Sequence, residues 1–253
     1  MIQGKKVMAE EIYFPSASKY YALEGIVGSG KSTCLSEFGY HTDVYSVSEP
    51  LHLFQTFKTY NPLALQYMDP VKNLVAAQLH IIRMSAVHYR AEIKAEGSLW
   101  QDKIVLSERS ILSPIVFINA NYKRGLLSEF TRDYLLQEYS DESAGVRKPD
   151  AIIFLSADPS VCMGRVQSRQ REGEESCTLQ FQEHLLSAHL DMFCTLDIPV
   201  HTVFIDCDTT KKDVFRQIRC ILDEKNLAEG LWFGDINKNE DWPIFCKDEK
   251  LDG

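Results

Sequence analysis

Apolar residues fall in two patterns along the chain. Short runs at 20–23 (YYAL), 44–47 (VYSV), 104–106 (IVL), 151–155 (AIIFL) and 199–205 (PVHTVFI) are bounded by polar or turn residues and predict strands. Between them lie longer stretches in which apolar side chains return every three or four positions. These predict helices from about residue 31 and over 71–95, 111–121, 127–140, 159–170, 178–197 and 211–226. The run at 151–155 is apolar throughout, as a strand buried on both faces must be. Strands alternating with helices, joined by right-handed crossovers, give an α/β fold: a five-stranded parallel sheet flanked by helices. The pattern holds over 19–228. An arm, 1–18, precedes it, and an acidic, aromatic tail, 229–253, follows, with Trp232, Phe233, Trp242 and Phe245 set among Asp, Asn and Gly.

The length of 253 residues suits one large α/β domain, or two small ones at most. Lys and Arg number 27 against 36 Asp and Glu, a net charge of −9, which speaks against a nucleic-acid partner of the duplex kind, since that needs a basic face. The longest uncharged stretch, 110–122, has 13 residues, too few for a membrane-spanning helix. The seven cysteines stand at least 13 residues apart, so no C-x-x-C pair offers zinc or redox chemistry and they read as reduced thiols. His184 and His189 do not share a helix face, and no metal site arises from the histidines. The opening MIQGKKVMAEEIYF lacks an apolar signal core, and Glu10 and Glu11 do not suit a mitochondrial presequence. The expected location is the cytoplasm, with the nucleus left open.

The segment Gly25-Ile26-Val27-Gly28-Ser29-Gly30-Lys31-Ser32 fits G-x-x-x-x-G-K-[ST], follows an apolar strand and opens a helix. Its glycines let successive backbone N–H groups turn toward one anion, and the helix start adds partial positive charge. Lys31 is placed to reach the β- and γ-phosphates of a nucleoside triphosphate, Ser32 to ligate Mg²⁺, with Thr33 beside it in the first turn.

Three clusters lie beyond predicted strand ends, where open α/β sheets bind their ligands. Glu49-Pro50 follows the second strand and Glu108-Arg109-Ser110 the third. After the fourth come Arg165, Arg169 and Arg171, then Glu172, Glu174 and Glu175. Taken singly, Glu49 is a helix-cap neighbour, Glu108 and Arg109 a surface ion pair, and the run over 165–175 a solvated helix face. Their order relative to the phosphate loop gives them weight.

A Walker loop, then S-E-P, then E-R-S, then a lid of R-x-R and E-E make the chain resemble the deoxynucleoside kinase family over about residues 19–206. The resemblance implies a P-loop kinase fold with an Arg-rich lid, ATP as donor, Mg²⁺, a deoxyribonucleoside acceptor and a homodimer through the long helices. Glu49 matches the general base at the 5′-hydroxyl, Arg109 the arginine that holds the 5′-oxygen, and Glu108 a Mg²⁺ holder. Arg165, Arg169 and Arg171 match the lid; Tyr67 and Glu175 match the pair on the sugar 3′-hydroxyl. Gln78 matches the glutamine that reads the base edge, Phe54 an aromatic wall, and Phe117 or Ile118 a stacking phenylalanine, with Ile118 at strict register.

Two departures bear on the substrate. Family members that favour deoxycytidine or purines set an Arg and an Asp against the base; the matching positions here are Ser85 and Pro114, although a slip of one or two residues would bring Met84 or Arg83 to the first. An uncharged pocket of this kind suits thymidine and other pyrimidines. The lid carries one residue more than the family pattern, at Gly173. Two rival readings stand beside this one. A thymidylate kinase-like enzyme would need further basic groups for the acceptor's phosphate, and a catalytically silent kinase-fold subunit would have no need of both Lys31 and Glu49.

Overall fold

The computed structural model describes residues 18–93, 102–169, 174, 177–206 and 208–224. Tyr20–Glu24 (β1), Val44–Val47 (β2), Ile104–Glu108 (β3), Ala151–Ala157 (β4) and Val200–Ile205 (β5) form one parallel sheet in the order β2-β3-β1-β4-β5. Every residue of β1 is buried, because helices cover both of its faces. Successive side chains point to opposite sides, so each strand feeds two cores. Tyr20 and Val105 pack on one side with Leu74, Ile82, Leu135 and Tyr139. Tyr21, Leu23 and Leu106 pack on the other with Leu35, Phe38, Phe193 and Ile218.

The helices are Lys31–Phe38 (α1), Leu51–Phe54 (α2), Pro62–Met68 (α3), Pro70–Glu92 (α4), Ser113–Lys123 (α5), Glu129–Ser143 (α6), Pro159–Arg169 (α7), Leu179–Thr195 (α8) and Lys211–Leu222 (α9). All five expected strands are present. The long helix expected over 71–95 is α4, with residues 94–95 outside the described set. Two helices were not read from the sequence. α2 has four residues, too few to show a period. α3 has seven, and its only cue is its cap: the Asn61 side chain accepts from the Ala64 N–H at 3.0 Å, and Pro62 holds the first helical position. Strand β3 also runs two residues past the expected apolar run, through Ser107 and Glu108.

The strand order positions the site. β3 lies between β2 and β1, so the residues after their carboxyl ends stand side by side. Those residues are Glu49 beyond β2, Arg109 beyond β3, and the loop from Gly25 beyond β1. The arm 1–17 and the tail 229–253 lie outside the described residues.

Candidate active site

The phosphate loop curls back on itself before α1. Gly28 adopts φ +88°, and a Cβ there would stand 2.6 Å from the Cys162 carbonyl oxygen of α7, so only glycine lets the loop lie this close to that helix. Lys31 is buried, and its Nζ donates to the Gly25 and Ile26 carbonyls at 2.9 and 2.8 Å. Burial, with Arg109 adding to it, pulls the Lys31 pKa down to about 8 against the opposing pull of Glu108, Glu49 and Glu24. The loop is also gripped from outside. Gln182 of α8 donates from Nε2 to the Val27 carbonyl at 2.7 Å and accepts the Val27 N–H on Oε1 at 3.2 Å.

Beside the loop, charges gather around Arg109. Its backbone sits at φ +61°, a left-handed conformation uncommon for arginine, held by an N–H bond to the Leu23 carbonyl at 2.9 Å. Its Nε lies 3.0 Å from Glu49 Oε1, its Nη1 lies 3.6 Å from Glu24 Oε2, and its guanidinium stands 4.9 Å from the Phe117 ring centre. Glu49 keeps 14% of its side chain exposed. Burial raises its pKa, with Glu108 and Glu24 adding, against Arg109 and Lys31. A carboxylate so placed is suited to accept a proton. Ser32 Oγ donates to Glu108 Oε1 at 2.6 Å, which sets a hydroxyl and a carboxylate together at the loop's edge.

Glu24 was not singled out from the sequence, although a charge closing an all-buried strand was the available signal. It is fully buried, and its Oε1 accepts from the Ser110 and Ser113 hydroxyls at 3.1 and 2.7 Å. Burial alone would raise its pKa; His189 and Arg109 outweigh that and hold it below the ordinary carboxylate value. His189, buried in α8 with its Nδ1–H on the Leu185 carbonyl at 2.8 Å, is pushed toward its neutral form chiefly by burial.

The phosphate loop, Glu49, Glu108 and Arg109 open onto a cavity of about 570 Å³. Gly28, Ser29, Gly30, Lys31, Ser32, Thr33, Glu49, Glu108, Arg109, Arg165 and Arg169 line its centre. One side is walled by Leu51, Phe54, Leu63, Gln66, Tyr67, Ile81 and Phe117, the other by Glu37, Ile205, Thr209, Lys211, Val214 and Phe215. Gly25 backs the loop and reaches Lys31 through its carbonyl. Arg165 Nη1 donates to the Gly28 carbonyl at 3.4 Å, and Arg169 makes a two-point contact with Glu174 at 2.8 and 2.6 Å.

Several expected residues lie elsewhere. Ile118 is fully buried in the core beside β3, and Phe117 faces the cavity, because adjacent helical residues point about 100° apart. Gln78 is fully buried and does not line the cavity; the amide on the wall is Gln66, whose Oε1 accepts from Gln78 Nε2 at 2.9 Å. Ser85 and Pro114 are both buried and off the cavity wall. Arg171, Gly173 and Glu175 lie outside the described residues; Glu174, which is described, is the lid acid that lines the cavity. Among the described residues no cluster of three or more His, Cys, Asp or Glu could hold a metal by itself.

A family model described as deoxynucleoside kinase matches residues 21–223. The chain is 31% identical over 173 residues to thymidine kinase 2, mitochondrial, of Homo sapiens, covering 66% of this chain and 61% of that protein. It is 24% identical over 172 residues to a deoxyadenosine kinase of Dictyostelium discoideum, covering 67% of this chain and 64% of the relative. A probable thymidylate kinase of Picrophilus torridus is 24% identical over 170 residues, 67% of this chain and 77% of the relative. The chain thus spans less than two thirds of the length of the first two relatives. A solved deoxyadenosine kinase from M. mycoides, with products dCMP and a flexible dCDP bound, superposes with a TM-score of 0.66 at 18% identity, over 81% of this chain and 99% of that one, and so shares the fold.

Proposed function

The chain belongs to the deoxynucleoside kinase family, and on that footing we propose that it transfers the γ-phosphoryl group of ATP to the 5′-hydroxyl of a deoxyribonucleoside. The observation that carries this reading is the placing of Glu49 on the cavity wall with Lys31, 3.0 Å from the Arg109 guanidinium and with its pKa raised by burial. A carboxylate there would repel an acceptor that already bears a phosphate, and it suits an uncharged hydroxyl whose proton it takes as the oxygen attacks. Arg109 steadies the same oxygen. Lys31, Arg165 and Arg169 offset the charge that spreads over the transferring group. The triphosphate lies along the loop, with the donor's base toward Ile205, Val214 and Phe215 and the nucleoside toward Phe54, Tyr67 and Phe117.

The Ser32 hydroxyl and the Glu108 carboxylate, 2.6 Å apart beside the loop, are hard oxygen donors that fit a Mg²⁺ ion keeping most of its waters. When bound, the ion supplies charge neutralisation at the phosphates. The homodimer through the long helices follows from the family membership.

The test is a phosphoryl-transfer assay with Mg·ATP on thymidine, deoxycytidine, deoxyadenosine, deoxyguanosine and dTMP, for the wild type and Glu49→Gln. We expect label on one or more nucleosides, and a fall in kcat of about 10²–10⁴ for Glu49→Gln with KM for the nucleoside little changed. An unchanged kcat removes Glu49 from the role. Label on dTMP alone favours the thymidylate kinase reading, which the Picrophilus torridus relative supports.

A further inference from the structure

We propose that Glu24 is a positioning residue for the reaction: it is the standing counter-ion that takes over the Arg109 guanidinium once Glu49 has accepted the proton of the 5′-hydroxyl. The proposal rests on the nucleoside kinase reading above. Arg109 is buried, and a guanidinium in that setting needs a carboxylate beside it at every stage of the reaction. Two flank it. Glu49 Oε1 lies 3.0 Å from Nε, and Glu24 Oε2 lies 3.6 Å from Nη1. A third acid nearby, Glu108, is engaged by the Ser32 hydroxyl at 2.6 Å.

The reaction removes one of the two flanking charges. As the 5′-oxygen bonds to the γ-phosphorus, its proton passes to Glu49 and the bond from that phosphorus to the leaving oxygen of ADP breaks. Glu49 is then neutral, and Arg109 is left with Glu24. The geometry suits such a handover. Glu24 Oε2 and Arg109 Nη1 are both buried atoms without a hydrogen-bond partner, so each has a bond still to make. They stand 3.6 Å apart, and a closure of about 0.7 Å brings them to a charge-assisted hydrogen bond.

Glu24 is also built to keep its charge while Glu49 changes. Its other oxygen, Oε1, accepts from the Ser110 and Ser113 hydroxyls at 3.1 and 2.7 Å, which fixes the carboxylate in place. Burial opposes its charge, yet His189, whose Nε2 stands 3.7 Å from Oε2, and Arg109 outweigh burial and hold the Glu24 pKa below the ordinary carboxylate value. At Glu49 burial wins, and the pKa rises. Two carboxylates on one arginine are thus driven apart, one to take a proton and the other to stay ionised. Glu24 does not line the cavity, so it acts on the reacting oxygen only through Arg109.

The experiment measures the thermal midpoint and the single-turnover rate of phosphoryl transfer for the wild type, Glu24→Gln, Glu49→Gln and the double variant, with KM for ATP and for the nucleoside alongside. Glu24→Gln keeps the shape and an oxygen for the two serines while removing the charge. We expect its transfer rate to fall by about tenfold to a hundredfold, with both KM values and the midpoint little changed. A purely structural tie through the serines would be rescued by this variant, so a wild-type rate in Glu24→Gln overturns the proposal. In the double variant Arg109 has lost both flanking charges, and the midpoint should drop by more than the sum of the two single shifts. Arg109→Met added to the double variant should recover that loss, because the stranded charge is gone. Additive shifts, or a loss that Arg109→Met fails to recover, overturn the proposal as well. A wild type that phosphorylates no nucleoside overturns the kinase reading itself and the handover with it, whereas a working kinase with an intact Glu24→Gln rate overturns the handover alone.

Discussion

The Lys31 ammonium is held by backbone carbonyls in a place where burial and Arg109 both work against its charge, which brings its pKa to about 8. In an unfolded chain the same group titrates near 10.5. Between these values the unfolded chain holds a proton that the folded chain has released, so the lysine's contribution to stability rises with pH across that window. The thermal midpoint of the wild type, measured against Lys31→Met, should therefore gain between pH 8 and pH 10, while Lys31→Met abolishes turnover throughout. A difference between the two midpoints that stays flat over the window would mean that Lys31 is charged throughout. The motif that contains Lys31 was legible because the chemistry lies in consecutive residues. Gln66 was not, because it lies on α3, whose seven residues are too few to show a period, and its partner Gln78 stands on the next helix. Glu24 was passed over for a similar reason: its partners Ser110, Ser113 and His189 are distant in sequence.

At the scale of elements, α8 is fastened to the phosphate loop. Gln182, itself fully buried, makes two hydrogen bonds with the half-buried Val27. Each such bond contributes about 1 kcal/mol. Gln182→Leu should lower the thermal midpoint and raise KM for ATP several-fold, with KM for the nucleoside nearly unchanged; steady-state kinetics with each substrate varied in turn checks it. An equal rise in both KM values would place the effect in general loosening rather than in the loop. The five strands and the longer helices could be read from period and length, because sheet and helix each impose a repeat that a run of ten or more residues displays. α2 and α3 escape that logic, being too short to repeat, yet they supply Phe54, Leu63, Gln66 and Tyr67 to the cavity. As elements, α2 and α3 were thus the least legible part of the cavity wall, although Phe54 and Tyr67 on them were named from the sequence, and the phosphate loop was the most legible.

For the whole molecule, the charge of −9 and the cationic groups at the cavity's centre act at different ranges. An approaching triphosphate meets net repulsion until it is close to Lys31, Arg109, Arg165 and Arg169, and added salt screens the long-range part first. The association rate constant for ATP should rise as ionic strength goes from about 0.01 to 0.15 M, where the Debye length falls from about 30 to 8 Å. Stopped-flow binding reads this, and a fall over that range would show that the local cations dominate even at a distance. Across the molecule the two halves of the cavity differ in what else they hold up. Glu24 ties the start of α5 to the end of β1 through Ser110 and Ser113, and α5 carries Phe117 against Arg109. A change on α5 that reshapes the nucleoside wall therefore disturbs the arginine at the reacting end. The described hydrogen bonds of α3 beyond its own turns run to α4, through Asn73 to the Leu65 carbonyl and through Gln78 to Gln66. In a lineage drifting toward new nucleosides, substitutions on α3 can accumulate with the phosphoryl chemistry intact, and those on α5 need compensation at every step.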